Sequence, residues 1–159
     1  VMIHSSNVIT HHASRLKEVT MAKILIVDDD PDFVEPTRIV LEKANHQVIS
    51  AASGPEGLKR VKADKPDLVL LDVIMDTALE GLSVSQAIHE SAEMRQVPII
   101  MVTSIASSEY AGMFPTDEYV HVEAFLSKPI SSAELLRQIN RVLAKKPAKN
   151  KPAKNKSKA

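Results

Sequence analysis

Three apolar runs in this 159-residue chain stop at side chains suited to phosphoryl chemistry. Lys23-Ile-Leu-Ile-Val27 runs into Asp28-Asp29-Asp30, Asp67-Leu-Val-Leu-Leu71 into Asp72, and Pro98-Ile-Ile-Met-Val102 into Thr103-Ser104. Packing gives buried strands no reason to end in aspartate, and carboxylates held together repel one another. A cation among them removes the repulsion, so the pattern points to a metal-assisted phosphate site. In a parallel α/β sheet the C-terminal strand ends form one rim, where ligands bind at the topological switch point. Acids distant in sequence then share one crevice.

The elements that must position them alternate. After the strand ending at Val27, a helix is expected from Pro31 to Ala44, with Asp30 as N-cap and Pro31 at the first helical position. Phe33, Val34, Ile39, Val40 and Leu41 are its expected apolar face, and Pro36 should bend or confine it. Gln47–Ala51 reads as a strand, and Gly54–Asp64 as a helix with Leu58 and Val61 inward. Asp67–Leu71 reads as the most hydrophobic strand, Leu82–Met94 as a helix and Pro98–Val102 as a strand. Between 105 and 122 the pattern is irregular, with Met113-Phe114-Pro115 breaking any long helix. Glu123–Leu126 is a fifth strand, and Ser131 or Ser132 caps a last helix whose face is Leu135, Leu136, Ile139, Val142 and Leu143. Strands alternating with helices argue for a parallel sheet with right-handed crossovers.

Composition bounds the rest. The length suits about one domain, and 3% aromatic residues leave the core to aliphatic side chains. Without cysteine there is neither disulfide nor thiol chemistry, and a reducing, cytoplasmic setting is expected. The apolar runs fall far short of the roughly 20 residues of a membrane span. The zero net charge hides an asymmetry: residues 145–159 carry seven lysines and no acid, while 21–144 carry eleven basic residues against nineteen acids. Residues 1–20 show no helical or strand period and no signal peptide, and read as a disordered or non-native extension before Met21. In the tail Pro147-Ala-Lys-Asn-Lys151 recurs as Pro152-Ala-Lys-Asn-Lys156, which reads as a solvated, disordered segment.

Ile-Leu-Ile-Val-Asp-Asp-Asp-Pro, Leu-Leu-Asp72, Met-Val-Thr103-Ser and Phe-Leu-Ser-Lys128-Pro129, in this order, resemble the receiver domain of two-component response regulators over about 21–144. The resemblance implies a flavodoxin-like (βα)5 fold, a doubly wound parallel five-stranded sheet in the order 2-1-3-4-5. It implies Asp72 as phosphoacceptor, and Mg²⁺ (or Mn²⁺) held by Asp28, Asp29, Asp72 and the backbone carbonyl of Ile74. Thr103 would bond the acquired phosphoryl group. Lys128 would pair with the acceptor and then with a phosphoryl oxygen, aimed inward by a Pro129 that is often cis in the family. Phe125 would be the switch aromatic, able to repack but lacking a hydroxyl. The partners implied are a sensor histidine kinase or phosphotransfer protein and a downstream protein. The output would be binding, by a stand-alone domain, rather than enzymatic turnover. For Asp30 the plain role of helix cap is the better reading.

The chain departs from the common pattern after the acceptor. Met75 is followed by Asp76 rather than proline, and Gly81 stands nine residues after Asp72, one more than usual. This loop resembles a minor receiver branch with Met-Asp-Thr, and Asp76 reads as a turn cap. Two other classes fit parts of the chain. Asp28 and Asp30 have the Asp-x-Asp spacing of haloacid-dehalogenase phosphatases, but Asp32 stands where Thr or Val is expected. The lysine tail could contact nucleic-acid phosphates non-specifically, although no base-reading element accompanies it. A receiver-like scaffold that is never phosphorylated is the remaining alternative. His46, His89 and His121 read as isolated surface or loop residues.

Overall fold

The computed structural model describes residues 21–77, 79–104 and 121–145. Five strands, β1 (Lys23–Val27), β2 (Gln47–Ala51), β3 (Leu68–Leu71), β4 (Ile99–Thr103) and β5 (Ala124–Ser127), alternate with helices α1 (Pro31–Lys43), α2 (Gly54–Asp64), α3 (Glu80–Glu90) and α4 (Ser132–Ala144). The sheet order is β2-β1-β3-β4-β5 and every pairing is parallel, as expected. Residues 105–120 of the stretch expected to be irregular, the N-terminal extension and most of the tail lie outside the described residues. Among the described residues no helix is long and apolar enough to cross a membrane.

Strand side chains alternate between faces, so each central strand feeds two cores. Ile24, Ile26, Leu68, Leu70, Ile100 and Val102 meet Leu41 of α1 and Leu135, Ile139 and Val142 of α4. Leu25, Val27, Val69, Leu71, Ile99 and Met101 meet Val61 of α2 and Val84 and Ile88 of α3. Such strands are apolar throughout because both faces are covered.

Helix ends follow local chemistry in most places. Asp30 accepts from the Asp32 amide at 2.9 Å, and Ser131 accepts from the Glu134 amide at 3.2 Å. Helix α1 closes with Asn45 in the left-handed region (φ 64°), where Asn45 N–H donates to the Glu42 carbonyl and His46 N–H to that of Leu41. Pro36 does not interrupt α1. The expected apolar face of α1 needs correction: Val34, Thr37 and Leu41 are buried, and Ile39 is exposed. At about 100° per residue, Ile39 falls on the opposite side from Thr37 and Leu41. His46 is also buried rather than at the surface. Its Nδ1 accepts from the Ala22 amide at 3.4 Å, and burial lowers its pKa. His89 and His121, expected to be isolated, are exposed and stacked on each other with ring centroids 3.3 Å apart. The sheet brings the end of α3 beside the approach to β5.

Candidate functional site

Parallel pairing puts the C-terminal ends of β1, β3, β4 and β5 on one rim. The Asp72 amide donates to the Val27 carbonyl at 2.9 Å, carrying the β1–β3 ladder one step beyond the strands. The Lys128 amide donates to the Thr103 carbonyl at 2.9 Å and does the same for β4 and β5. The four expected side chains therefore leave the sheet together. Asp28, Asp72 and Thr103 are 3%, 6% and 6% exposed.

Oxygen atoms of Asp28, Asp29 and Asp72 lie within 4.8 Å of one another, two from buried residues and one from an exposed residue. Asp28 Oδ1 accepts from the Asp30 amide at 2.9 Å, which fixes its carboxylate. Lys128 Nζ donates to Asp28 Oδ2 at 2.6 Å and lies 3.7 Å from Asp72 Oδ2. The expected pairing of Lys128 with Asp72 is present as an ion pair, and Asp28 is its closer partner. The ammonium also sits 4.2 Å from the centroid of the Phe33 ring, an arrangement in which the ring quadrupole attracts it. The Lys128–Pro129 peptide is cis, as expected.

Asp72 is electrostatically under-compensated. Burial, and then the neighbouring Asp28 carboxylate, push its pKa up to about 6 against the pull of Lys128 and the Ile74 and Val73 amides. The Ile74 amide donates to Asp72 Oδ1 at 3.4 Å, so the loop folds over the acceptor. Hard oxygen donors around uncompensated negative charge suit Mg²⁺, which favours carboxylates together with waters and phosphate oxygens.

Two features of this loop were missed in the sequence. Helix α3 begins at Glu80 rather than Leu82, behind Leu79 in the left-handed region (φ 66°) and with no side-chain cap of its own. Glu80 accepts instead from the Gly54 amide at 2.7 Å and the Thr77 amide at 3.4 Å, joining the loop to the start of α2. Gly81 is the second feature. Its N–H donates to the Val73 carbonyl at 3.0 Å, and a Cβ there would stand 2.7 Å from Val73 Cα and collide with the Asp72 carbonyl oxygen. An acid near the start of a helix is too common a signal to have found Glu80. Phe125 lies on the edge strand β5 and is 45% exposed.

The response regulator receiver domain family matches residues 24–140. The chain belongs to that family. The haloacid-dehalogenase alternative falls with this match. Receiver domains of two-component systems are thus its kin, and a phosphorylation-dependent switch is consistent with the arrangement. Protein PilH of Pseudomonas aeruginosa is 36% identical over 124 residues, covering 78% of this chain and 99% of PilH. The polar-differentiation response regulator DivK of Brucella ovis is 29% identical over 123 residues, covering 76% and 94%. Other curated relatives are longer: this chain spans 48% of the transcriptional regulatory protein PhoP of Bacillus subtilis, at 31% identity and over 76% of its own length. Among solved structures, a response regulator from Chloroflexus aurantiacus superposes with a TM-score of 0.69 at 27% identity, covering 78% of this chain and 98% of that one. The receiver domain of sensor histidine kinase PA1611 from Pseudomonas aeruginosa superposes with a TM-score of 0.69 at 25% identity, again covering 78% and 98%. That structure has a magnesium ion coordinated in its active-site cleft.

Proposed function

We propose that this domain is a phosphorylation switch in which Asp72 accepts a phosphoryl group from a histidine kinase or phosphotransfer protein. The observation that carries the reading is the pair of buried carboxylates, Asp28 and Asp72, bridged by the partly buried Lys128 beside Asp29 and Thr103 at one sheet rim. Asp72 Oδ attacks phosphorus, the bond from phosphorus to the donor imidazole nitrogen breaks, and its electron pair stays on that nitrogen. Asp28, Asp29, Asp72 and the Ile74 carbonyl would hold Mg²⁺ (or Mn²⁺), which when bound neutralises charge on the phosphoryl oxygens. Lys128 already stands between Asp28 and Asp72, so a small movement of its flexible stem brings the ammonium to a phosphoryl oxygen. Thr103, at the end of β4, donates its hydroxyl to the new group. Phe125 on the neighbouring strand repacks with it, and the population of states at the β5–α4 face shifts. The output is binding to a partner rather than turnover.

The test is Mg²⁺-dependent labelling by acetyl phosphate, read as intact mass without acid or base treatment. A single adduct of about 80 Da, absent from Asp72→Asn and absent without Mg²⁺, is expected. No adduct under conditions that label another receiver would leave a receiver-fold scaffold whose acids are structural.

A further inference from the structure

Lys128 enters the crevice from the end of β5 and meets two groups supplied by one short segment. Asp28 Oδ2 accepts from its ammonium at 2.6 Å, and the centroid of the Phe33 ring lies 4.2 Å from the same nitrogen. Both groups belong to the turn that joins β1 to α1. The Asp30 amide donates to Asp28 Oδ1 at 2.9 Å, and the Phe33 amide donates to the Asp30 carbonyl at 3.1 Å. Asp30 thus orients the carboxylate on one side and anchors the helical turn that carries the ring on the other. The lysine side chain, 18% exposed, has one charged wall and one aromatic wall.

The aromatic wall acts differently from any other side chain in its place. An aliphatic residue would desolvate the ammonium with no compensating attraction. A further carboxylate would add charge where oxygens of Asp28, Asp29 and Asp72 already lie within 4.8 Å of one another. The face of a ring attracts the cation without adding net charge and without occupying one of its N–H donors. The carboxylate wall, meanwhile, is needed twice. Asp28 is one of the acids that would hold Mg²⁺, yet the Asp30 amide engages its Oδ1 and Lys128 its Oδ2. Two cations drawing on one carboxylate repel each other, so whatever holds the ammonium there weakens the hold of the site on a metal.

We propose that Phe33 is a positioning residue: its ring keeps Lys128 against Asp28 in the metal-free site and so sets how tightly that site takes Mg²⁺. When the site is loaded, the ammonium leaves the ring for the side of Asp72, whose Oδ2 stands 3.7 Å away. The inference rests on the metal-site reading and does not require that Asp72 be phosphorylated. Phe33 and Lys128 also line a cavity of about 190 Å³ with Pro36, Thr37, Val40 and Leu135, so the ring has room for small substituents.

The test is Mg²⁺ binding to the full chain by isothermal titration calorimetry. Mono-, di- and trifluorophenylalanine at position 33 withdraw charge from the ring face stepwise and hardly change its shape. Each added fluorine should tighten Mg²⁺ binding, and Phe33→Leu should tighten it about threefold to tenfold, the effect of one partly desolvated contact of this kind. Phe33→Tyr, which keeps the ring face, should stay within about twofold of wild type. In a Lys128→Met background, Phe33→Leu should leave the affinity unaltered, because the ring then has no cation to hold. By proton NMR the Lys128 ε-methylene, shielded by the ring in the metal-free protein, should shift downfield when Mg²⁺ is added. An affinity that stays flat or weakens across the fluorinated series overturns the inference and leaves the metal site standing. No Mg²⁺ binding by wild type at millimolar concentration would overturn the metal-site reading, and the role of Phe33 with it.

Discussion

The loops after β1 and β3 each deliver carboxylates to the same crevice by opposite means. The first is three residues long and closes on itself. Asp28 takes the Asp30 amide, Asp30 takes the Asp32 amide, and the Asp30 carbonyl accepts from the Phe33 and Val34 amides. The second spans 72–79 and draws its support from elsewhere: the Gly81 amide on Val73, and Glu80 reaching the Gly54 amide. The Asp28 carboxylate is oriented from within its own turn by the Asp30 amide, whereas the turn that carries Asp72 is braced from the start of α2. Asp28 holds Lys128 at 2.6 Å, whereas Asp72, 3.7 Å from the same ammonium, keeps a pKa raised to about 6.

The contrast breaks most sharply at Gly81. Gly81→Ala forces a methyl group into the backbone of Asp72 and Val73, which no rotamer change relieves. It should cost about 3 kcal/mol of stability, read as a lower urea midpoint, and the displaced loop should abolish the proposed acetyl phosphate adduct.

Asp72→Asn should act in the opposite direction on stability. The unfolded carboxyl ionises near 3.8 and the folded one near 6, so the folded protein binds more protons in that window. Stability of the metal-free protein therefore falls as pH rises from about 4 through 6, and Asn removes that fall. At pH 7, in a chelator, the variant should be more stable by on the order of 2 kcal/mol. A variant no more stable than wild type, with the same slope between pH 4 and 6, would show that Asp72 carries no such strain.

Smaller effects separate the two loops further. Glu80→Ala should cost about 1.5 kcal/mol, since it strips a charge-assisted bond from the Gly54 amide. It should also loosen the second loop alone, visible as faster amide exchange at 73–77 with 28–34 unchanged. Asp30→Ala should cost about 1 kcal/mol through the lost cap, and Asp30→Asn almost nothing. There the exchange change should be confined to the start of α1.

The same contrast marks what could be read in advance. The first loop was legible because its chemistry is local: an aspartate before a proline caps a helix wherever it occurs. The strand order and the shared rim of Asp28, Asp72, Thr103 and Lys128 were legible because apolar runs, helical periods and the family motifs agree. The start of α3 was not, since it is set by the approach of Gly81 to backbone nine residues earlier in the chain. The partnership of Lys128 with Asp28 spans one hundred residues and leaves no trace in local spacing. His46 was misplaced because the Asn45 turn that folds it inward was not weighed as a helix end. The face of α1 failed at Ile39 because apolar character alone does not say which side of a helix a residue occupies.

The ring beneath the lysine has an optical consequence. This chain contains no tryptophan, so it is almost silent at the wavelengths that excite indole. Phe33 is half-buried, with the Lys128 ammonium 4.2 Å above it. Tryptophan in its place would be a lone lamp lit beside that cation. Any event that draws the ammonium toward Asp72 would change the field across that lamp, and the colour and intensity of its emission would report the movement of a single side chain.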